Sequence, residues 1–148
     1  MENREIIETL TNLARISRDG EKGFCTAARE TQDQQLRNMF ETAAKRCADG
    51  ARELESQIAE MGGAPSHTGT TAGAWHRVWT SMKAIFTGHD DKSILDEVER
   101  GEDVAKSAYE IAIAKPLPPN VRSILDRQYR GVKENHDKVR DLRNRRAA

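Results

Sequence analysis

The chain has 148 residues, and its 24 lysines and arginines balance 24 aspartates and glutamates to a net charge of zero. A chain of this length forms one domain that buries roughly 70% of the surface its unfolded form exposes. Balanced charge leaves no long-range field to gather nucleic acid or anionic lipid. The amino terminus is charged where a signal peptide needs an apolar run, and nowhere do about 18 apolar residues follow one another, so a cytoplasmic protein without stable membrane insertion is expected.

Strand signals are nearly absent and the chain reads as helix almost throughout. The first helix is expected over about 3–30, with Ile7, Leu10, Ala14, Ser17, Glu21, Phe24 and Ala28 on one face at helical spacing. Thr31 to Asp33 break it, and Asp33 caps a second helix over about 33–61 with Leu36, Phe40, Ala43, Cys47, Gly50, Leu54, Ile58 and Met61 along its seam. Gly62, Gly63 and Pro65 end that helix, because glycine supplies a C-cap and proline forbids continuation. A shorter amphipathic segment over about 71–87 carries Trp75, Trp79, Met82 and Phe86 on one side. Such a stripe covers the bundle, packs across a dimer interface, or docks on a partner or membrane surface.

The third long helix is expected over about 91–115, with Leu95, Val98, Glu102, Ala105, Tyr109 and Ala112 facing inward. Pro116, Pro118 and Pro119 make a stiff turn into a last helix over about 119–146, whose inner face carries Val121, Leu125, Gln128, Val132, His136, Val139 and Leu142. Four long helices with a short one between the second and third make two antiparallel hairpins joined by a long crossover. The halves also resemble each other: offset by 81, Gly20 and Glu21 meet Gly101 and Glu102, and offset by 85, Leu36, Arg37, Met39 and Phe40 meet Val121, Arg122, Ile124 and Leu125.

Two glutamates on apolar seams call for compensation, since an ionised carboxylate facing a core costs several kcal/mol unless a hydrogen bond, a counter-charge or a metal offsets it. Glu21, Glu102 and His136 are the candidate metal ligands, with Tyr109, Gln128 and Tyr129 as groups that orient or hydrogen-bond them. The competing reading of the same residues is a purely structural polar layer, hydrogen-bonded within itself, that fixes helix register. A shift of about 40° in helix rotation would instead put either glutamate at the solvent edge. Mid-helix Gly20 and Gly101 each cost about 1 kcal/mol against alanine, which points to close helix approach at that level. Cys25 lies off its seam and Cys47 on one, with no C-x-x-C pair. His67, His76 and His89 lack metal-motif spacing, no nucleophile elbow or phosphate loop occurs, and acids interleave with the basic carboxyl-terminal residues as on a solvated helix face.

The paired hairpins, the long crossover and the seam glutamates resemble the ferritin-like fold. The runs ISRDGEKGF at 16–24, AWHRVW at 74–79, ERGED at 99–103 and RQY at 127–129 with His136 and Asp137 look more narrowly like a bacterial ferritin-like four-helix-bundle family of unknown function. The resemblance implies an all-α ferritin-like bundle and hints at stress physiology. It implies little about activity, because fold and function separate readily. The di-iron branch of that superfamily takes one glutamate from each of two helices and a Glu-x-x-His pair from each of the other two. Glu21 and Glu102 match the first half, but Lys133 stands three residues before His136, and the matching positions of helix two are Ala48 and Ala51.

The expected protein is therefore a structural or interaction protein that holds no cofactor and self-associates, with a two-fold dimer as the default symmetry. The alternatives are a metal-binding protein or metal-dependent oxidoreductase, with iron or manganese at a reduced Glu21, Glu102 and His136 site, and an adaptor docking through the crossover tryptophans.

Overall fold

The computed structural model describes residues 1–65 and 91–147, and among these it contains four helices and no strand. They are α1 (Asn3–Glu30), α2 (Gln34–Glu60), α3 (Asp91–Ile113) and α4 (Pro119–Ala147). The expected crossover helix, with Trp75, Trp79, Met82, Phe86 and the three histidines around it, lies outside the described residues.

Local chemistry sets each boundary. The Asp33 side chain accepts from the backbone N–H groups of Gln35 and Leu36 at 2.8 and 3.1 Å, satisfying donors that the first turn of α2 leaves free. At the other end of α2, Gly62 adopts φ +85°, and the Gly63 N–H returns to the Ile58 carbonyl at 2.9 Å in a Schellman-type closure. A side chain at Gly63 would meet the Ile58 methyl at 2.8 Å, so glycine is needed there for space as well.

The two hairpin turns share one device. Arg37 donates to the carbonyls of Ala28 and Thr31 at 3.0 and 2.9 Å, binding the end of α1. Arg122 donates to the carbonyls of Ile113 and Lys115 at 2.8 and 2.6 Å, binding the end of α3. These arginines are the pair that the 85-residue offset aligned, and each reaches back nine residues to a last-turn carbonyl. Replacing either by alanine is expected to lower stability by about 1–2 kcal/mol, through two lost charge-assisted bonds at a partly wet site. Urea denaturation of Arg37→Ala and Arg122→Ala would check this, and unequal losses would deny the turns a common design.

Two end-to-end bonds establish the topology. Asn3 at the start of α1 donates to the Met61 carbonyl at the end of α2, at 3.1 Å. Thr31, just past the end of α1, donates its hydroxyl proton to Asp91 at the start of α3, at 2.6 Å. Met61 and Asp91 therefore stand at opposite ends of the bundle. Within this arrangement α1 packs on α2, α3 on α4, and α1 on α3.

The core falls into two apolar parts. One gathers Leu10, Leu13, Leu54, Ile58, Tyr109, Val121 and Leu125 toward the Met61 end. The other gathers Phe24, Phe40, Leu36, Ile94, Leu95, Val98 and Val139 toward the Thr31 end, with the Phe24 and Phe40 rings tilted at 31° and 6.2 Å apart. Ser17, Gly20, Gly101, Glu102, Asn135 and His136, all buried, occupy the stretch between the two in sequence along α1, α3 and α4.

Candidate functional site

The polar stretch centres on Glu102, which is 2% exposed. Its Oε1 accepts from the Asn135 side-chain amide at 2.6 Å and lies 3.7 Å from the Arg46 guanidinium. Its Oε2 is buried with no hydrogen-bond partner among the described residues. Burial pushes the Glu102 carboxyl above the usual range, while Arg46, Asn135 and His136 pull it back without cancelling that effect.

Arg46 reaches this carboxylate from α2 across a gap toward α4. Its Nη1 also donates to the Gly131 carbonyl at 2.9 Å. The approach is close: a Cβ at position 131 would stand 3.3 Å from the Arg46 Cδ, and the arginine stem would have to give by a few tenths of an ångström. Beside the guanidinium, burial raises the Cys47 thiol to about 11, which keeps it protonated and unreactive at neutral pH. Cys47 packs against the second apolar cluster, as its seam position implied, and Cys25 is exposed.

A second polar chain runs outward from the same level. The buried Tyr109 hydroxyl donates to Gln128 Oε1 at 2.8 Å, and Gln128 Nε2 donates to Glu53 at 2.7 Å and to the Gly50 carbonyl at 3.3 Å. Arg127 closes the chain on Glu53 at the surface. Burial lifts the Tyr109 phenol to about 12 despite the neighbouring Ser17 hydroxyl, so it is a proton donor at physiological pH. A cavity of about 620 Å³ opens over these groups, lined by Arg46, Gly50, Glu53, Tyr109, Gln128 and Gly131 among others.

The candidate ligands differ in burial and in partners. Glu102 and His136 are both buried, on α3 and α4. Glu21 is half-buried, with its side chain 33% exposed, and pairs with Arg18 one turn earlier at 3.1 Å. On α1 it is Gly20, with Ser17 and Phe24, that faces inward. The two halves thus align glycine with glycine at the buried level, whereas one glutamate points in and the other sits at the rim. His136 Nε2 lies 2.5 Å from Asp103 Oδ1, and its Nδ1 lies 3.4 Å from Asp137 Oδ1. Of the proposed orienting groups, Tyr109 and Gln128 bond each other, and Tyr129 donates to Glu110 at the surface at 2.6 Å.

Residues 5–115, which span α2 and α3 and nearly all of α1, match the model of a family described as a domain of unknown function, DUF2383. The chain belongs to the DUF2383 family. Among solved structures it resembles a two-domain protein from Anabaena variabilis ATCC 29413 that contains DJ-1/ThiJ/PfpI-like and ferritin-like domains. That likeness has a TM-score of 0.78 at 12% identity, and covers 99% of this chain and 38% of the other. At that identity the likeness shows the fold, a ferritin-like four-helix bundle, and nothing of the neighbour's chemistry. No curated protein matches the chain.

Arg46 and Asn135 escaped the sequence reading. Each adjoins a residue that was singled out, Cys47 and His136, and the signal for them was the buried charge at Glu102, which required a cation and a donor from facing helices.

Proposed function

We propose that this DUF2383 protein acts as a structural or interaction protein, a self-associating bundle whose inner carboxylate is neutralised by its own arginine rather than by a pair of metal ions. The observation that carries this reading is the Arg46 guanidinium against Glu102. A dinuclear carboxylate centre draws anionic or imidazole ligands from all four helices. Here the α2 group that reaches Glu102 is a cation, and Glu21 turns to Arg18. The donors at this level do not fit such a centre. No described helix is long and apolar enough to cross a membrane.

Anaerobic iron(II) titration of tag-free protein, followed by exposure to oxygen, tests this reading. Wild type and Glu102→Gln are expected to behave alike, with no oxidation of iron(II) beyond the buffer rate. Uptake of two irons per chain with rapid oxidation, abolished in Glu102→Gln, would overturn it. Light scattering coupled to size exclusion is expected to give twice the chain mass, and a strict monomer at micromolar concentration would remove the dimer from the proposal.

A further inference from the structure

His136 stands between carboxylates. Asp103 faces one ring nitrogen and Asp137 the other, and Glu102 lies close enough to be pulled electrostatically by the ring. A neutral imidazole offers a single N–H, so it cannot donate to both flanking carboxylates. The ring nitrogen that faces Asp103 is thus a place where a cation can be shared between imidazole and carboxylate.

The neighbouring cations reach the flanks of this place but not Asp103 itself. Arg143 binds Glu99, and Lys133 and Arg140 bind Asp137 at 3.6 Å each. The described salt bridges give Asp103 no lysine or arginine, and its side chain is 60% exposed, so the position is open to solvent. Glu99, one turn before Asp103 on α3, is buried and turns toward the same point. One donor atom each from Glu99, Asp103 and His136 lie within 4.8 Å of one another, the group of three metal-ligating side chains that the described residues bring together.

We propose that Glu99, Asp103 and His136 Nε2 form a site for one divalent transition-metal ion of the zinc, manganese(II) or iron(II) class, at the rim where α3 meets α4. Two carboxylate oxygens and an imidazole, with remaining positions left to water, suit these ions. Bonds of about 2.0–2.2 Å place opposed ligand atoms at most about 4.4 Å apart, so a small rotation of the exposed Asp103 side chain closes the site. Asp137 at Nδ1 supplies the carboxylate that commonly backs a metal-bound histidine, holding the proton on Nδ1 and the lone pair on Nε2. The ion would tie α3 to α4 and is independent of the inner Glu102 and Arg46 pair.

Zinc(II) added to chelator-treated, tag-free full-length protein is the test, followed by calorimetry and by the nitrogen resonances of the histidine rings. One equivalent is expected to bind, with the Nε2 resonance of His136 moving most. Asp103→Asn, at an exposed position that does not threaten the fold, is expected to weaken binding at least about tenfold, whereas Glu102→Gln keeps the stoichiometry. Absence of zinc binding in the wild type overturns the proposal. So does undiminished binding in Asp103→Asn, or a shift confined to histidines other than His136. Loss of zinc binding leaves the iron-oxidation result untouched, so the two readings fail separately.

Discussion

Replacing Arg46 by methionine is expected to lower the unfolding free energy at neutral pH by about 3 kcal/mol, because it strands the Glu102 carboxylate inside the bundle. Methionine keeps most of the aliphatic stem, so the loss reads charge and hydrogen bonding rather than volume. Adding Glu102→Gln should restore most of it, since a neutral amide at that position still accepts from Asn135 and needs no counter-charge. About 1 kcal/mol should remain lost in the double variant, for the Gly131 carbonyl deprived of its donor. The pH dependence follows from the raised carboxyl. Below the ordinary glutamate value of 4.5 the group is protonated folded and unfolded, and burial costs little. As pH rises through that value the unfolded chain releases the proton while the folded chain retains it, so stability falls until the folded group also ionises. Arg46 lowers the folded value and so limits this loss. The Arg46→Met penalty should therefore be small at pH 4 and large at pH 7. Urea denaturation at the two pH values measures it, and equal penalties would show that Arg46 stabilises through its bond to the Gly131 carbonyl and its packing rather than through the Glu102 charge.

The contrast between Glu21 and Glu102 shows how far the sequence could be read. Apolar spacing located all four described helices, the Asp33 cap, the glycine stop at 62–63 and the proline turn, because each is a local signal that tertiary packing did not override. Helix rotation is a finer matter. Successive residues differ by about 100°, so a seam through Ser17, Glu21 and Phe24 and one through Ser17, Gly20 and Phe24 fit the same periodicity. Glycine has no side chain to declare which is right. On α3, Val98, Ala105 and Tyr109 bracket Glu102 with bulk, and its inward position was legible. Arg46 and Asn135 were not, since which side chains meet across facing helices depends on their relative rotation and height together. The duplicated Arg37 and Arg122 were visible as a repeat, but their shared task of binding last-turn carbonyls emerged only from the hydrogen bonds.

Arg18 is the second place where a large effect is expected, and it settles what Glu21 does. Its Nε and Nη2 donate to the two oxygens of Glu55 at 3.0 and 2.7 Å, a bidentate pair joining α1 to α2, and its Nη1 donates to Glu21 at 3.1 Å. Glu55 is 4% exposed, so Arg18→Met takes a buried carboxylate's fork of donors away and should cost about 3 kcal/mol. Replacing both partners, Arg18→Met with Glu55→Met, should recover much of that loss, because an apolar pair of similar volume avoids the desolvation of two charges. Glu21→Gln is expected to cost less than about 1 kcal/mol, the ordinary value for a pair open to water. Thermal unfolding of the four proteins distinguishes two versions of α1. In one, Glu21 is a surface partner of Arg18 and its loss goes nearly unnoticed. In the other, Glu21 turns inward to share the Glu102 level, and Glu21→Gln would shift stability as strongly as a change at Glu102 itself. The half-exposed side chain and its three-residue pairing with Arg18 favour the first.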